Sequence, residues 1–209
     1  NFNESVGASA QLTVTLDTGA IVVLTHASAG NTLSGTYTVG SSDSSSDLTV
    51  SSYSISSPVE DTAGNLMTST AVPVVASKIA GAKALVIDTT SPLLSSVSTS
   101  AVTGNSANLN FTSNESGTYY YLVYAASDTA PSAATIVAQG AAVSKGTLTH
   151  TTVAKTVAAS GLSASTQYVA YLVVKDSAGN FSTVSNTSFT TTIAVPNAPV
   201  LQAASDSGS

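Results

Sequence analysis

Two short acidic signatures each occur twice in the chain. Asn3-Glu4-Ser5 is followed by Asp61-Thr62-Ala63-Gly64-Asn65, and Asn114-Glu115-Ser116 by Asp176-Ser177-Ala178-Gly179-Asn180. The spacings nearly match: 111 residues separate the Asn-Glu-Ser runs and 115 the Asp-x-Ala-Gly-Asn runs. Carboxylate and amide oxygens are hard donors, the kind that Ca²⁺ gathers in sets of roughly six to eight at about 2.3–2.6 Å. The same Asp-x-Ala-Gly-Asn run is also readable as a plain hairpin loop, its Asp accepting nearby backbone N–H groups and its Gly taking positive φ. In either case a pattern that returns after about 110 residues marks tandem modules, and each must carry an acidic loop early and an Asx-Gly loop late.

Composition narrows the setting. Of 209 residues only 8% are charged, and five lysines with no arginine face eleven acidic residues for a formal charge of −6. Nucleic acid is excluded as a natural partner, because phosphate recognition needs clustered Lys and Arg. Ser, Thr, Asn and Gly supply most of the polar surface, which suits an extracellular β-rich module. With no cysteine there is neither a disulfide framework nor a thiolate metal site, so the expectation is a bacterial extracellular protein held by its cores and by oxygen-bound cations. No stretch approaches the roughly 20 apolar residues of a membrane span. Asn1 opens directly on strand-like sequence without a signal peptide, and the chain reads as a piece of a longer array.

The elements that must position these loops are strands. Apolar and polar residues alternate in short runs broken by Gly, Ser, Asn or Pro. In the first module the runs are Gln11–Leu16, Ala20–Thr25, Thr32–Val39, Leu48–Ile55 and Leu66–Val75. In the second they are Leu93–Ser98, Ala107–Thr112, Thr118–Ala126, Thr147–Val157, Gln167–Lys175 and Thr183–Thr191. Pro131–Val137 predicts one short helix with the proline in its first turn. The prediction is an all-β chain of two tandem sandwiches: residues 1–88, whose opening strand is missing, residues 89–192, and a linker with the start of a further repeat over 193–209. Leu162, six residues before the strand-opening Tyr168, has the spacing of a tyrosine corner, and Leu48 to Tyr53 is a looser version.

These residues carry a family resemblance. Leu162–Tyr168, the strand Val169–Val174, the Asp176–Asn180 loop and the exit Phe189-Thr190-Thr191 resemble a bacterial fibronectin type III-like module. The first module, with Leu16-Asp17-Thr18-Gly19, Leu33–Val39, Asp61–Asn65 and Ile87–Pro92, resembles the immunoglobulin-like repeats of giant biofilm-associated (Bap-like) adhesins. Tryptophan is absent, so Phe111 is expected where such modules often hold a core Trp.

In a sandwich of this topology the loop after the second strand and the loop after the sixth lie at one pole, beside the entering linker. Asn114, Glu115, Asp176, Asn180 and the linker residue Asp88 would converge there around calcium, and the resemblance implies the same, since such arrays are thought to be calcium-stiffened between modules. The first module's counterpart would use Glu4, Asp61 and Asn65, without a linker aspartate. Asp17, Asp43 and Asp47 read as turn residues.

Catalysis finds no constellation. His26 and His150 sit in strand-like runs and are expected at exposed strand positions, and neither a nucleophile elbow nor a zinc spacing occurs. Within Tyr119-Tyr120-Tyr121-Leu122-Val123-Tyr124, alternation sends Tyr119, Tyr121 and Val123 one way and Tyr120, Leu122 and Tyr124 the other, so one set is core. The leading expectation is a non-enzymatic structural and adhesive segment of a bacterial surface protein. Its partners are adjacent modules and a cell-surface receptor or polysaccharide. Two alternatives stand beside it: a filament subunit, a homopolymer in which a neighbour supplies the missing strand, and a carbohydrate-binding accessory of a secreted enzyme.

Overall fold

The computed structural model describes residues 2–26, 28–72, 83–152 and 154–193. The chain is all-β apart from one short helix and divides into two compact units, Asn1–Thr90 and Ser91–Ser209. No helix among the described residues is long and apolar enough to cross a membrane.

In the first unit strict alternation makes Gln11–Leu16 (β1) the central strand, with Leu12, Val14 and Leu16 buried and the residues between them only half-buried. Ile21–Leu24 (β2) and Val50–Ser57 (β4) pair antiparallel on its two sides, so that Val14 lies opposite Val22 and Tyr53. The β1–β2 turn closes through Gly19, whose φ of 86° favours a residue without a side chain and whose N–H donates to Leu16 O. Ser44–Ser45 (β3) pairs with Ile87–Asp88 (β5) in a small second sheet. Asp17 ties the two sheets locally, accepting from Ser45 Oγ at 2.6 Å and Thr49 N–H at 3.1 Å, a turn role as its position predicts. Two expected strands differ. Thr32–Val39 forms only a bridge from Ser34 to Thr25, and its residues are largely exposed, without the ladder a strand needs. Leu66 makes a single bridge to Glu60, and the end of the expected Leu66–Val75 run lies outside the described residues.

The second unit is a two-sheet sandwich. Leu94–Ser100 (β6), Ser106–Ser113 (β7) and Lys155–Ser160 (β10) form one sheet in the order β10-β7-β6. Gly117–Ala125 (β8), Ser144–His150 (β9), Gln167–Lys175 (β11) and Ser185–Thr190 (β12) form the other in the order β12-β11-β8-β9. This is an immunoglobulin-like, fibronectin type III-like arrangement. Alternate residues Ala107, Leu109 and Phe111 of β7 face Tyr119, Tyr121 and Val123 of β8 and Tyr168, Ala170, Leu172 and Val174 of β11. Phe111 is fully buried, edge-on to Tyr119 with ring centroids 5.0 Å apart, and so fills the core position expected of it.

The other set of the tyrosine run is covered too. Ala133–Val137 (α1) lays Ile136 over Leu122 and Val173, with Tyr120, Tyr124 and Tyr171 packed around them, so both faces of β8 are buried against something. Ser132, not Pro131, caps this helix: its Oγ accepts Thr135 N–H at 3.1 Å, and the proline stands just outside. The expected run Thr147–Val157 is two strands, β9 and β10, because the chain turns after His150 to cross between sheets. The Tyr168 corner is present: Leu162 is buried and Ser163 N–H donates to Tyr168 Oη at 2.9 Å. Tyr53 makes no such corner. Its hydroxyl donates to Ser69 O and Ala71 O.

Candidate metal centre

The pole of the second unit is set by β8 and β11, which pair in register with Lys175 opposite Thr118. Glu115 lies three residues before Thr118 and Asp176 one after Lys175, so the ladder itself brings the two acids to the same end. Gly117 tightens the approach, since a Cβ there would run into the carbonyl of Lys175 and lie 3.1 Å from Asp176 Cα. Each of the two carboxylates presents an oxygen within 4.8 Å of the other.

The Asp176 loop is built around its carboxylate. Oδ1 accepts the N–H of Gly179 at 2.6 Å and of Asn180 at 2.8 Å, and Oδ2 accepts the Asn180 side-chain amide at 2.9 Å. The backbone closes as well, Asp176 N–H donating to Asn180 O at 3.0 Å, and Gly179 takes φ of 108°. Burial works to raise the Asp176 pKa, but the bonds from Asn180, Gly179 and Ala178 outweigh it and hold the carboxyl below its ordinary range. Ser182, buried behind the loop, accepts Val174 N–H at 3.0 Å and fixes the strand end from which Asp176 springs.

Asn114 pins the incoming chain. Its Oδ1 accepts Leu93 N–H at 2.6 Å while its own N–H donates to Leu93 O at 3.2 Å, and its side-chain amide stands 3.5 Å from Glu115 Oε1. The predicted ligand oxygen of Asn114 is thus already an acceptor for the backbone, as the Asn180 amide is a donor to Asp176. Asp88 belongs to β5 of the first unit, where its Oδ1 accepts Thr90 N–H at 3.0 Å.

The donor set fits a hard cation. Two oxygens bound to one Ca²⁺ at about 2.3–2.6 Å lie within about 5 Å of each other, which the Glu115–Asp176 separation satisfies.

The first unit repeats the loop. Asp61 Oδ1 accepts Ala63 N–H and Asn65 N–H, both at 2.8 Å, and Oδ2 accepts the Asn65 amide at 2.7 Å. The Asn65 side-chain bond is the leading cause that holds the Asp61 carboxyl below its ordinary range. Glu4, Asp61 and Asn65 line one cleft with Phe2, Val6 and Met67. Among the described residues no third acidic group joins Glu4 and Asp61. The wiring corresponds: in each unit the Asp loop follows the strand, β4 or β11, that pairs with the strand after Asn-Glu-Ser, β1 or β8.

No family model matches the chain, and no curated protein matches it. Among solved structures it is similar to a computationally redesigned β-sandwich protein, at 14% identity over 53% of this chain and 98% of that one, TM-score 0.37. It is similar to a structure described as a myokine, at 13% identity over 49% of this chain and 96% of that one, TM-score 0.34. It is also similar to the FN1–FN3 domains of chicken CNTN1, at 13% identity over 89% of this chain and 56% of that one, TM-score 0.39. The strand order described above carries the fold assignment.

Neither histidine occupies an exposed strand position. His150 is 7% exposed, packed edge-on to Phe111 and close to Tyr119, with Nδ1 at Thr151 O and no hydrogen-bond partner for Nε2. Its ladder partner on β8 is Gly117. His26 follows β2, half-buried, with Nε2 2.7 Å from Gly7 O. What the sequence reading missed around the acids is Gly117. Its signal was a glycine opening an otherwise aromatic strand.

Proposed function

We propose that this chain is a structural and adhesive segment of a large bacterial surface protein of the biofilm-associated kind, its modules spaced by calcium. The observation that carries the reading is the Glu115–Asp176 pair, two carboxylates with oxygens within 4.8 Å of each other at a pole of the second unit where Asn114 also anchors Leu93. Asp88 lies five residues before Leu93, which the Asn114 side chain anchors, and five extended residues span at most about 17 Å. Without a cation the like charges repel, and a bound Ca²⁺ supplies the countercharge that turns this repulsion into a joint. Asp176 and Asn180 hold the loop in shape, Glu115 and Asp176 present oxygens, and Asp88 would couple linker to module.

The test is scattering and melting of the purified chain with excess calcium and with chelator. A stiffer, more extended and more stable particle in calcium supports the reading. An unchanged profile and midpoint leave the loops as plain Asx turns and remove calcium from the proposal.

A further inference from the structure

We draw no further inference here: the strongest candidate, the apolar groove on the inner face of the three-stranded sheet of the first unit lined by Phe2, Leu12, Leu24, Leu33, Tyr53 and Met67, has nothing in the structure to show what covers it.

Discussion

Asn180 closes on both ends of the Asp176 carboxylate, its backbone N–H 2.8 Å from Oδ1 and its side-chain amide 2.9 Å from Oδ2. Asn65 does the same to Asp61. Both aspartates are held below their ordinary pKa, at Asp176 against the opposing pull of burial and at Asp61 chiefly through the Asn65 side chain. A depressed carboxyl stabilises the fold while ionised. Its contribution is complete above the unfolded value near ~4 and is lost as pH falls through the lower folded value. Stability followed by urea titration is therefore expected to fall below about pH 4, and more shallowly in Asp176→Asn. That variant turns one oxygen into an amide facing the Asn180 amide, and a cost of about 2 kcal/mol at pH 7 is expected. An acid profile in Asp176→Asn identical to the parent would overturn this role.

Gly117 is expected to be intolerant of any side chain. A Cβ would collide with the Lys175 carbonyl, a backbone atom that cannot swing aside. Forcing the two strands apart costs about 1–3 kcal/mol, as overpacking does. Gly117→Ala should lower the denaturation midpoint by that amount, whereas Gly7→Ala, where an added Cβ meets nothing within 4 Å, serves as the control. Equal midpoints for the two variants would sink the argument.

Much of the second unit was legible because its strands bury a face against a complete partner sheet, most cleanly in β7, where Ala107, Leu109 and Phe111 alternate with half-buried residues. Gln167–Lys175 is a strand over the whole predicted run, and Leu162 with Tyr168 forms the expected corner. In the first unit β1 was equally clear, since Leu12, Val14 and Leu16 meet a core. Thr32–Val39 alternates as well, yet alternation is only an offer of a face, and this segment finds a bridge partner at Thr25 alone. The acidic loops were readable from Asp and Gly because their bonds are local, within four residues. Gly117 and the buried state of His150 were not, for both depend on which strand lies opposite.

Tyr168 should contribute through its hydroxyl as well as its ring. Ser163 N–H donates to Oη at 2.9 Å, and Thr191, which is buried, donates to Ser163 O at 2.6 Å. Tyr168→Phe leaves that N–H without its acceptor, at about 1–2 kcal/mol. Phe111→Ala, which empties the core between the sheets, is expected to cost more, about 3–5 kcal/mol. Chemical denaturation of both variants checks the order, and a Tyr168→Phe variant as stable as the parent would show that the corner bond is replaced by water.

Calcium dependence should separate Glu115 from Asp176. Asp176 shapes its own loop, so its removal confounds folding with binding, whereas Glu115 lies outside the Asp176–Asn180 loop. Glu115→Gln keeps the size and the Asn114 neighbourhood while removing one charge. A ligand specific to the folded state adds about 2.7 kcal/mol at a hundredfold excess over its dissociation constant, which appears as a higher midpoint in calcium than in chelator. This difference should vanish in Glu115→Gln and shrink in Asp88→Asn, while Glu4→Gln leaves it intact, because Glu4 and Asp61 have no third acidic group beside them among the described residues. If Glu115→Gln kept the full calcium shift, the ion would bind elsewhere; if Asp88→Asn alone kept it, the second unit would hold the cation without the linker.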